Sequence, residues 1–239
     1  MSTRFYSDSP PVDGRIRLGP EEARHLHRVC RLGKGDVVEV FDGRGSAWRA
    51  EILEATANHA ILIASDQTLP SRSPTLSITI ASAVPKGDRL DWLVEKATEL
   101  GACRFIPLVT DRSVVDPSDS KLARLRKAVV ESCKQCRRDT LMTLSPVTRL
   151  NDLLIKADEP IKLLADLDGQ PPASWPRIMS ARPVILVIGP EGGFTTTERA
   201  QASQYGWTTI SLGAHILRIE TAAIAGSAAL FAREEKASE

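Results

Sequence analysis

The chain has no long hydrophobic run and almost no excess charge of either sign. No apolar stretch approaches the ~20 residues that a membrane-spanning helix needs, and residues 1–8 contain no signal-peptide core, so we expect a cytoplasmic protein. Its 31 lysines and arginines against 30 aspartates and glutamates leave a net charge of +1, which excludes a polycation acting through bulk charge. Because 42% of the 239 residues are hydrophobic, the chain can bury a core and is long enough for two domains.

Cysteine is scarce as well. The four cysteines, Cys30, Cys103, Cys133 and Cys136, fit reduced thiols in the cytoplasm. The last two form a C-x-x-C pair, but a zinc site needs two more ligands, and the sequence has neither a second such pair nor paired histidines. A redox pair usually opens a helix after a strand, whereas this pair lies late on the apolar face of a helical pattern. We therefore predict no metal and no redox role.

The glycine-rich part of the chain lacks the common nucleotide fingerprints. It contains no Gly-x-Gly-x-x-Gly, and the P-loop pattern is absent. It has instead a β-branched apolar run, Val184–Ile188, that leads directly into Gly189–Phe194. Such a run predicts a buried strand, and the glycines after it allow a ligand to approach the backbone closely.

A second unit of strand, glycine loop and helix follows the first. Thr195 and Glu198 have the spacing of a capping box, which predicts a helix that continues to Tyr205. The strand Thr208–Leu212 and a loop over residues 213–218 come next, before a helix over residues 220–234. One glycine turn alone is most often a simple tight turn. Two consecutive loops, however, would emerge at one edge of a parallel sheet and could close around one flat ligand.

The rest of the chain divides at the linker-like segment Pro70–Pro74. Before it, short alternating segments and a hairpin signal at Asp42-Gly43 predict a small β-barrel, residues 1–70. After it, strands alternate with helices, which predicts an α/β domain over residues 75–239. The predicted elements there are the strand Leu76–Val84, the helix Asp88–Leu100, the strand Phe105–Val109, the helix Ser120–Arg138, the helix Leu150–Lys156 and the strand Ile161–Ala165.

Positive charge is concentrated on one predicted helix. Between Lys121 and Arg138 there are seven lysines and arginines and one acid, Glu131, a stripe suited to phosphates. A solvated helix face explains the same pattern. The first domain has a smaller basic patch of Arg24, Arg28, Arg31 and Lys34.

Several motifs resemble the ribosomal RNA small subunit methyltransferase E family. The similarity lies in residues 188–194 and in residues 211–213 with 216–222. It continues in family order through further blocks over nearly the whole chain: Arg4-Phe5-Tyr6, His25 to Asp36, Pro85 to Trp92, Glu95 to Gly101, Ile106 to Leu108, Arg112 to Val115 and Gln135 to Arg138.

The resemblance implies a PUA-like barrel followed by a SPOUT methyltransferase domain with a C-terminal trefoil knot. It implies a homodimer that methylates N3 of a uridine in 16S ribosomal RNA of the small ribosomal subunit, with S-adenosylmethionine as cofactor. The cofactor-binding residues that it implies are Ile188, Gly189, Pro190, Glu191, Gly192, Gly193, Leu212, Gly213, Ile216, Leu217, Arg218, Thr221 and Ala222. The basic residues that we assign to RNA are Arg24, Arg28, Arg31, Lys86, Arg89, Arg112, Arg124, Lys127 and Lys134.

Methyl transfer to uridine N3 needs a residue that accepts a proton or stabilises a negative charge. Uridine N3 belongs to a weakly acidic imide, so a base or a cation that stabilises the uridine anion is required. The candidates are Glu191, Glu220 and Arg138, with Arg218 as a phosphate or carboxylate clamp. The resemblance favours Arg138 and Glu220 as the catalytic residues, although the acids would also suit helix N-termini and Arg138 a helix C-terminus.

Two departures from the family pattern occur beside these residues. Gln135-Cys136-Arg137-Arg138 stands where Gln-Ser-Gly-Arg is common, and Arg218-Ile219-Glu220-Thr221 stands where Arg-Thr-Glu-Thr is usual. Two other functions stay open: methylation of a ribose 2′-hydroxyl, and a non-catalytic RNA-binding role in ribosome assembly. The second would leave both glycine loops unexplained.

Overall fold

The computed structural model describes residues 3–113, 119–179 and 182–235. The predicted motif residues Val114 and Val115 lie outside this part. The chain forms two compact units. Unit 1 comprises residues 1–73 and 130–141, and unit 2 comprises residues 74–129 and 142–239. Residues 130–141 belong to unit 1 although they follow residues of unit 2 in the chain, so a single boundary in the sequence does not separate the two units.

Unit 1 is built around a five-stranded sheet. Its elements are β1 (Arg4–Tyr6), β2 (Arg15–Leu18), α1 (Pro20–Arg24) with a π-helical turn at His25–Val29, β3 (Val37–Phe41), β4 (Ala47–Ala55) and β5 (Ala60–Thr68). The strand order is β1-β3-β4-β5-β2. Alternate side chains such as Ile16, Val38 and Leu62 are buried in one cluster, as expected for strands with one face on a core. The hairpin between β3 and β4 has a five-residue loop in which the Asp42 carboxylate accepts the N–H groups of Arg44 and Ser46 at 2.8 and 3.0 Å.

A buried ionic network joins the two segments of unit 1. The Arg4 guanidinium pairs with Glu39 at 2.9 Å and with Asp139, and it donates to the Arg138 carbonyl at 3.0 Å. Arg72 donates to both acids, through its backbone N–H to Asp139 and through its guanidinium to Glu39. Because Asp139 is buried, loss of one partner would leave an uncompensated charge inside this unit.

The elements after Ser73 are β6 (Ile78–Ala83), α2 (Arg89–Leu100), β7 (Arg104–Val109), α3 (Asp119–Cys136), β8 (Thr143–Leu144), β9 (Thr148–Arg149), α4 (Leu150–Lys156), β10 (Ile161–Gln170), β11 (Ile178–Met179), β12 (Val184–Ile188), α5 (Thr196–Gln204), β13 (Thr208–Ile210), α6 (Ile219–Ala232) and β14 (Glu234–Glu235). Unit 2 contains a parallel sheet in the order β13-β10-β12-β6-β7-β8, with β9 also paired to β7. The predicted α/β class is therefore confirmed. The strands β6 and β12 are buried throughout, which explains the continuous apolar run of β12, whereas β6 also buries Thr79 and Ser82. Helix α3 belongs to both units, since its residues 130–136 are part of unit 1.

The strand order places three loops side by side. Strand β10 lies between β12 and β13, and all three are parallel, so their carboxyl ends meet at one edge of the sheet. This is the edge at which α/β proteins bind ligands. The knot that the resemblance implies stays a prediction. In the described residues no helix is both long enough and apolar enough to cross a membrane.

Candidate active site

The first glycine loop, residues 189–194, forms a tight turn anchored by Phe194. The Phe194 side chain is 2% exposed, and its ring lies so close to Gly189 that a β-carbon there would be 2.8 Å from it. The N–H of Gly193 donates to the Pro190 carbonyl at 2.8 Å, and Gly193 has a φ of +66°. Glycine is therefore required at both positions, by packing at the first and by backbone conformation at the second.

The predicted capping box of α5 is confirmed and also positions a neighbouring loop. Thr195 caps the helix, and Glu198 accepts the Thr195 N–H at 2.7 Å. The other carboxylate oxygen of Glu198 accepts the Asp111 N–H at 2.9 Å. The next residue, Arg112, donates to the Gly192 carbonyl at 2.5 Å. The loop after β7 thus supports the first glycine loop from the side, a role that the sequence did not indicate for Arg112.

The second glycine loop follows β13 and leads into α6. Gly213 has a φ of +138°, a conformation that side-chain-bearing residues rarely adopt. Ser211 Oγ accepts the N–H of Gly213 at 3.3 Å and donates to its carbonyl at 3.1 Å. Ile216 is 72% exposed, although most isoleucines are buried. The loop therefore presents backbone groups and one apolar side chain at the surface.

The C-terminal half of β10, which runs to Gln170 and not to the predicted Ala165, supplies a third wall that the sequence analysis missed. The Asp166 carboxylate, with a side chain 7% exposed, pairs with Arg199 at 3.3 Å and accepts the Asp168 N–H at 3.2 Å. The predicted strand Ile161–Ala165 ended beside Asp166, and residues at such strand ends often bind ligands. The sequence pattern does not give the order of the strands, and without that order Asp166 could not be assigned to the site.

The two glycine loops and the C-terminal half of β10 enclose a cavity of about 310 Å³. All the predicted cofactor-binding residues line it except Arg218 and Thr221. The wall is apolar at Ile188, Leu217 and Ala222, and it is polar at the end of β10. The remaining lining residues, which were not predicted as cofactor contacts, are Arg112, Ala165, Asp166, Leu167, Asp168, Phe194, Arg199 and His215.

Glu220 lies beside this cavity, in the first turn of α6. Its side chain is 9% exposed, and its Oε1 is 3.4 Å from Arg89 Nη1. Its Oε2 is buried and has no hydrogen-bond partner among the described residues. Arg89 also approaches Glu191, a cavity residue, at 3.9 Å. The site therefore holds a buried carboxylate with one oxygen available to accept a proton or a hydrogen bond.

Arg138, the other predicted catalytic residue, belongs to unit 1. It is 5% exposed. Its Nε donates to Thr140 Oγ1 at 3.2 Å, and its carbonyl accepts from Arg4. The catalytic role of Arg138 stays a prediction.

The residues assigned to RNA have different environments. Arg24, Arg28, Arg31, Lys86 and Lys127 are exposed. Arg89 and Arg112 contact the groups described above. Arg124, although exposed, pairs with Asp91, which also binds Lys121 at 2.6 Å. Lys134 is 9% exposed and pairs with Glu22 at 2.8 Å and Glu131 at 3.0 Å.

These ion pairs shift two pKa values. Burial alone would raise the pKa of Asp91, but the hydrogen bonds and charges of Lys121 and Arg124 outweigh it and hold the pKa below its ordinary value. Burial alone would lower the pKa of Lys134, but Glu22 and Glu131 outweigh it and hold that pKa above its ordinary value. Of the residues assigned to RNA, Arg124 and Lys134 are therefore both held by acids, which favours a structural contribution over a phosphate contact.

Comparison with known proteins places this geometry in a family. The model of an RNA methyltransferase domain matches residues 71–231, and that of an RNA methyltransferase PUA domain matches residues 18–65. Among solved structures, the ribosomal RNA small subunit methyltransferase E from Neisseria gonorrhoeae, bound to S-adenosyl methionine, superposes with a TM-score of 0.85 at 28% identity and covers 96% of this chain and 97% of its own.

Two curated relatives carry the same name. The protein from Synechocystis sp. is 32% identical over 88% of this chain and 71% of its own. The protein from Rickettsia conorii is 33% identical over 92% of this chain and 91% of its own. Both are ribosomal RNA small subunit methyltransferases E. With two domain models in order and matches over most of the chain, the protein described here belongs to the ribosomal RNA small subunit methyltransferase E family of RNA methyltransferases.

Proposed function

We propose that this protein transfers a methyl group from S-adenosylmethionine to N3 of a uridine in 16S ribosomal RNA, and that it acts in the cytoplasm as a homodimer. The observation that carries the proposal is the cavity walled by three strand ends, beside which Glu220 keeps a buried oxygen without a partner. A cavity alone would suit many ligands. A buried acceptor next to it suits a reaction in which a proton must leave the substrate.

The cavity residues fit S-adenosylmethionine. Ile188, Leu217 and Ala222 offer apolar surface for a flat adenine ring, and the glycine loops expose backbone groups for its polar edge. The Asp168 carboxylate lines the same cavity and suits a positively charged amino group. When bound, this cofactor supplies an electrophilic methyl carbon attached to a sulfonium.

Glu220 is the proposed general base. The N3–H of uridine can donate to Oε2, which has no other partner, while Arg89 holds Oε1. This arrangement orients the carboxylate before the substrate arrives, so less reorganisation is needed in the reaction. Arg138 is the proposed cation for the developing uridine anion.

RNA binding is proposed for the exposed basic residues Arg24, Arg28, Arg31, Lys86 and Lys127. Phosphates are bound through charge, so affinity should fall steeply with salt.

Dimer formation is proposed on the support of two exposed apolar side chains at the rim of the cavity, Ile216 and Leu167, which are 72% and 50% exposed. A second copy of the chain would remove them from water. Light scattering of wild type and Ile216→Asp tests this part of the proposal, with a smaller species expected for the variant.

Calorimetry and methyl transfer test the activity together. The protein should bind S-adenosylmethionine at one site per chain and transfer labelled methyl groups to 16S ribosomal RNA in small subunits. A protein that binds the RNA but not the cofactor would be an assembly factor, and label recovered on ribose would indicate the 2′-hydroxyl.

A further inference from the structure

Arg4 is a buried arginine to which the proposed reaction gives no role. It is the first residue of β1 and is 5% exposed. Its Nη1 donates to the Cys133 carbonyl at 3.1 Å and to the Arg138 carbonyl at 3.0 Å, and its Nη2 pairs with the Asp139 carboxylate. These three acceptors are at least 129 residues away along the chain. A single guanidinium therefore binds both the last turn of α3 and the turn that follows it.

Helix α3 ends directly before the residues that Arg4 binds. Arg137 has a φ of +65°, the left-handed conformation in which helices commonly end, and Arg138 and Asp139 come next. Two nitrogens of one planar group bind the carbonyl of Arg138 and the carboxylate of Asp139. Because the guanidinium is a rigid fork, these bonds fix the direction in which the backbone leaves Arg138.

The same turn is held from a second side. In the loop between β3 and β4, the N–H of Gly45 donates to the Asp139 carbonyl at 3.1 Å. The side chain of Arg138 is held as well, since its Nε donates to Thr140 Oγ1 at 3.2 Å. The backbone after Arg138 thus has a donor on its carbonyl and another on the next carbonyl, and Arg138 itself is 5% exposed. Its guanidinium is confined to one direction.

Stability alone does not account for an ionic network at this place. Burying charged groups costs free energy, and apolar residues of similar volume often replace a buried ion pair with no loss of stability. In this network Arg4, Glu39 and Asp139 are all buried. An apolar side chain cannot donate to two carbonyls and a carboxylate in fixed directions. The network therefore favours a role in orienting the residues that it binds.

We propose that Arg4, paired with Asp139, is a positioning residue for methyl transfer and that it acts by orienting Arg138. This inference rests on the proposed function, in which Arg138 is the cation that stabilises the uridine anion. A displacement of about 1 Å in a reacting arrangement can cost about a hundredfold in rate. The contribution of Arg4 thus lies in the rate of the reaction and not in the affinity for RNA or cofactor.

The test uses Arg4→Lys in the full chain. Lysine keeps the positive charge but replaces the planar fork by a single ammonium group, which cannot bind the Arg138 carbonyl and Asp139 in the same geometry. The single-turnover rate with saturating RNA and cofactor should fall about ten- to a hundredfold. Affinities for RNA and cofactor, measured by filter binding and calorimetry, should stay near those of wild type. Part of the rate should return at high pH, where more of the imide is already ionised.

A second variant and a matched control come from the same network. Asp139→Asn keeps an acceptor for only one of its two donors, Arg4 and the backbone N–H of Arg72, so its saturated rate should also fall. Arg72→Ala loses the ion pair with Glu39 at 3.0 Å but keeps the backbone bond to Asp139. It should melt at a lower temperature than wild type and keep the wild-type saturated rate.

A double variant separates positioning from a general loss of structure. Arg4→Lys combined with Arg138→Ala should be no slower than Arg138→Ala alone, because a residue that acts through Arg138 has nothing left to orient. Rate losses that multiply in the double variant would overturn the inference. A wild-type saturated rate for Arg4→Lys would also overturn it, as would an equal rate loss in Arg72→Ala.

The single variants keep this inference and the proposed function apart. A slow Arg138→Ala together with an Arg4→Lys of full rate removes only the positioning role of Arg4. A wild-type rate for Arg138→Ala removes Arg138 from the proposed reaction, and the role of Arg4 with it.

Discussion

Replacing Glu220 by glutamine should remove the base while preserving the shape of the site. In wild type the buried Oε2 has no hydrogen-bond partner among the described residues and can accept the N3–H of uridine, while Oε1 lies 3.4 Å from Arg89. An amide cannot take up the imide proton. If its NH₂ replaces Oε2, it also places a donor opposite the N3–H donor of uridine. The change keeps the volume of the side chain, so the first turn of α6 should stay intact.

The size of the effect follows from the role of the residue. General base catalysis contributes about 10²–10⁴ in rate, which corresponds to roughly 3–5.5 kcal/mol of transition-state stabilisation. We expect the rate of Glu220→Gln to fall within this range. The variant should gain rate as the pH rises, because more of the imide is then already ionised, whereas wild type should depend less on pH in the same interval.

The assay is single-turnover methyl transfer with saturating RNA and cofactor, so that binding does not limit the rate. Glu191→Gln is the matched control, because Glu191 also approaches Arg89, at 3.9 Å, but its side chain is 52% exposed. Its loss should reduce the rate much less. A Glu220→Gln rate within about threefold of wild type would refute the assignment, since no general base contributes so little.

The remaining predictions concern the cofactor loop, the basic helix and Arg138. Gly192→Val should fold, because a β-carbon at Gly192 would meet only ordinary contacts with Arg112 at 3.5 and 3.8 Å, and calorimetry should show cofactor binding abolished as the branched side chain crowds the loop. Asp91→Asn should leave Arg124 with only the exposed Asp88, at 3.6 Å, and so strengthen RNA binding with a steeper salt dependence, which filter binding measures. It should also destabilise the protein above pH 3.8, the ordinary pKa of Asp91; because the folded pKa is lower, this difference in unfolding free energy should vanish as the pH falls through it. Arg138→Ala should lower the saturated single-turnover rate about a hundredfold with a much smaller loss of RNA affinity and partial rescue at high pH, whereas weaker RNA binding at an intact rate would make Arg138 a docking residue.

Local pattern predicted the elements that form the site. The strand Val184–Ile188 and the helix Leu150–Lys156 have the predicted bounds, because an apolar run or a helical period belongs to consecutive residues. The capping box of Thr195 and Glu198 was predicted from two residues and is present with both hydrogen bonds. The two glycine loops were expected at one edge of a parallel sheet, where they lie.

Features that depend on distant residues could not be predicted in this way. The placement of β10 between β12 and β13 brings Asp166 into the cavity wall, and no local pattern encodes the order of strands. The sequence does not distinguish the basic residues of α3 from one another. In the structure two of them form ion pairs with residues that are distant in the chain: Lys134 pairs with Glu22, 112 residues away, and Arg124 pairs with Asp91, 33 residues away.

Nucleoside analysis of 16S ribosomal RNA tests the central claim most directly. A deletion strain complemented with wild type should contain one 3-methyluridine that is absent from the uncomplemented strain and from a strain complemented with Glu220→Gln. Ribosomal RNA with the same 3-methyluridine content in all three strains, or with a 2′-O-methylated nucleoside as the only difference, would contradict the account.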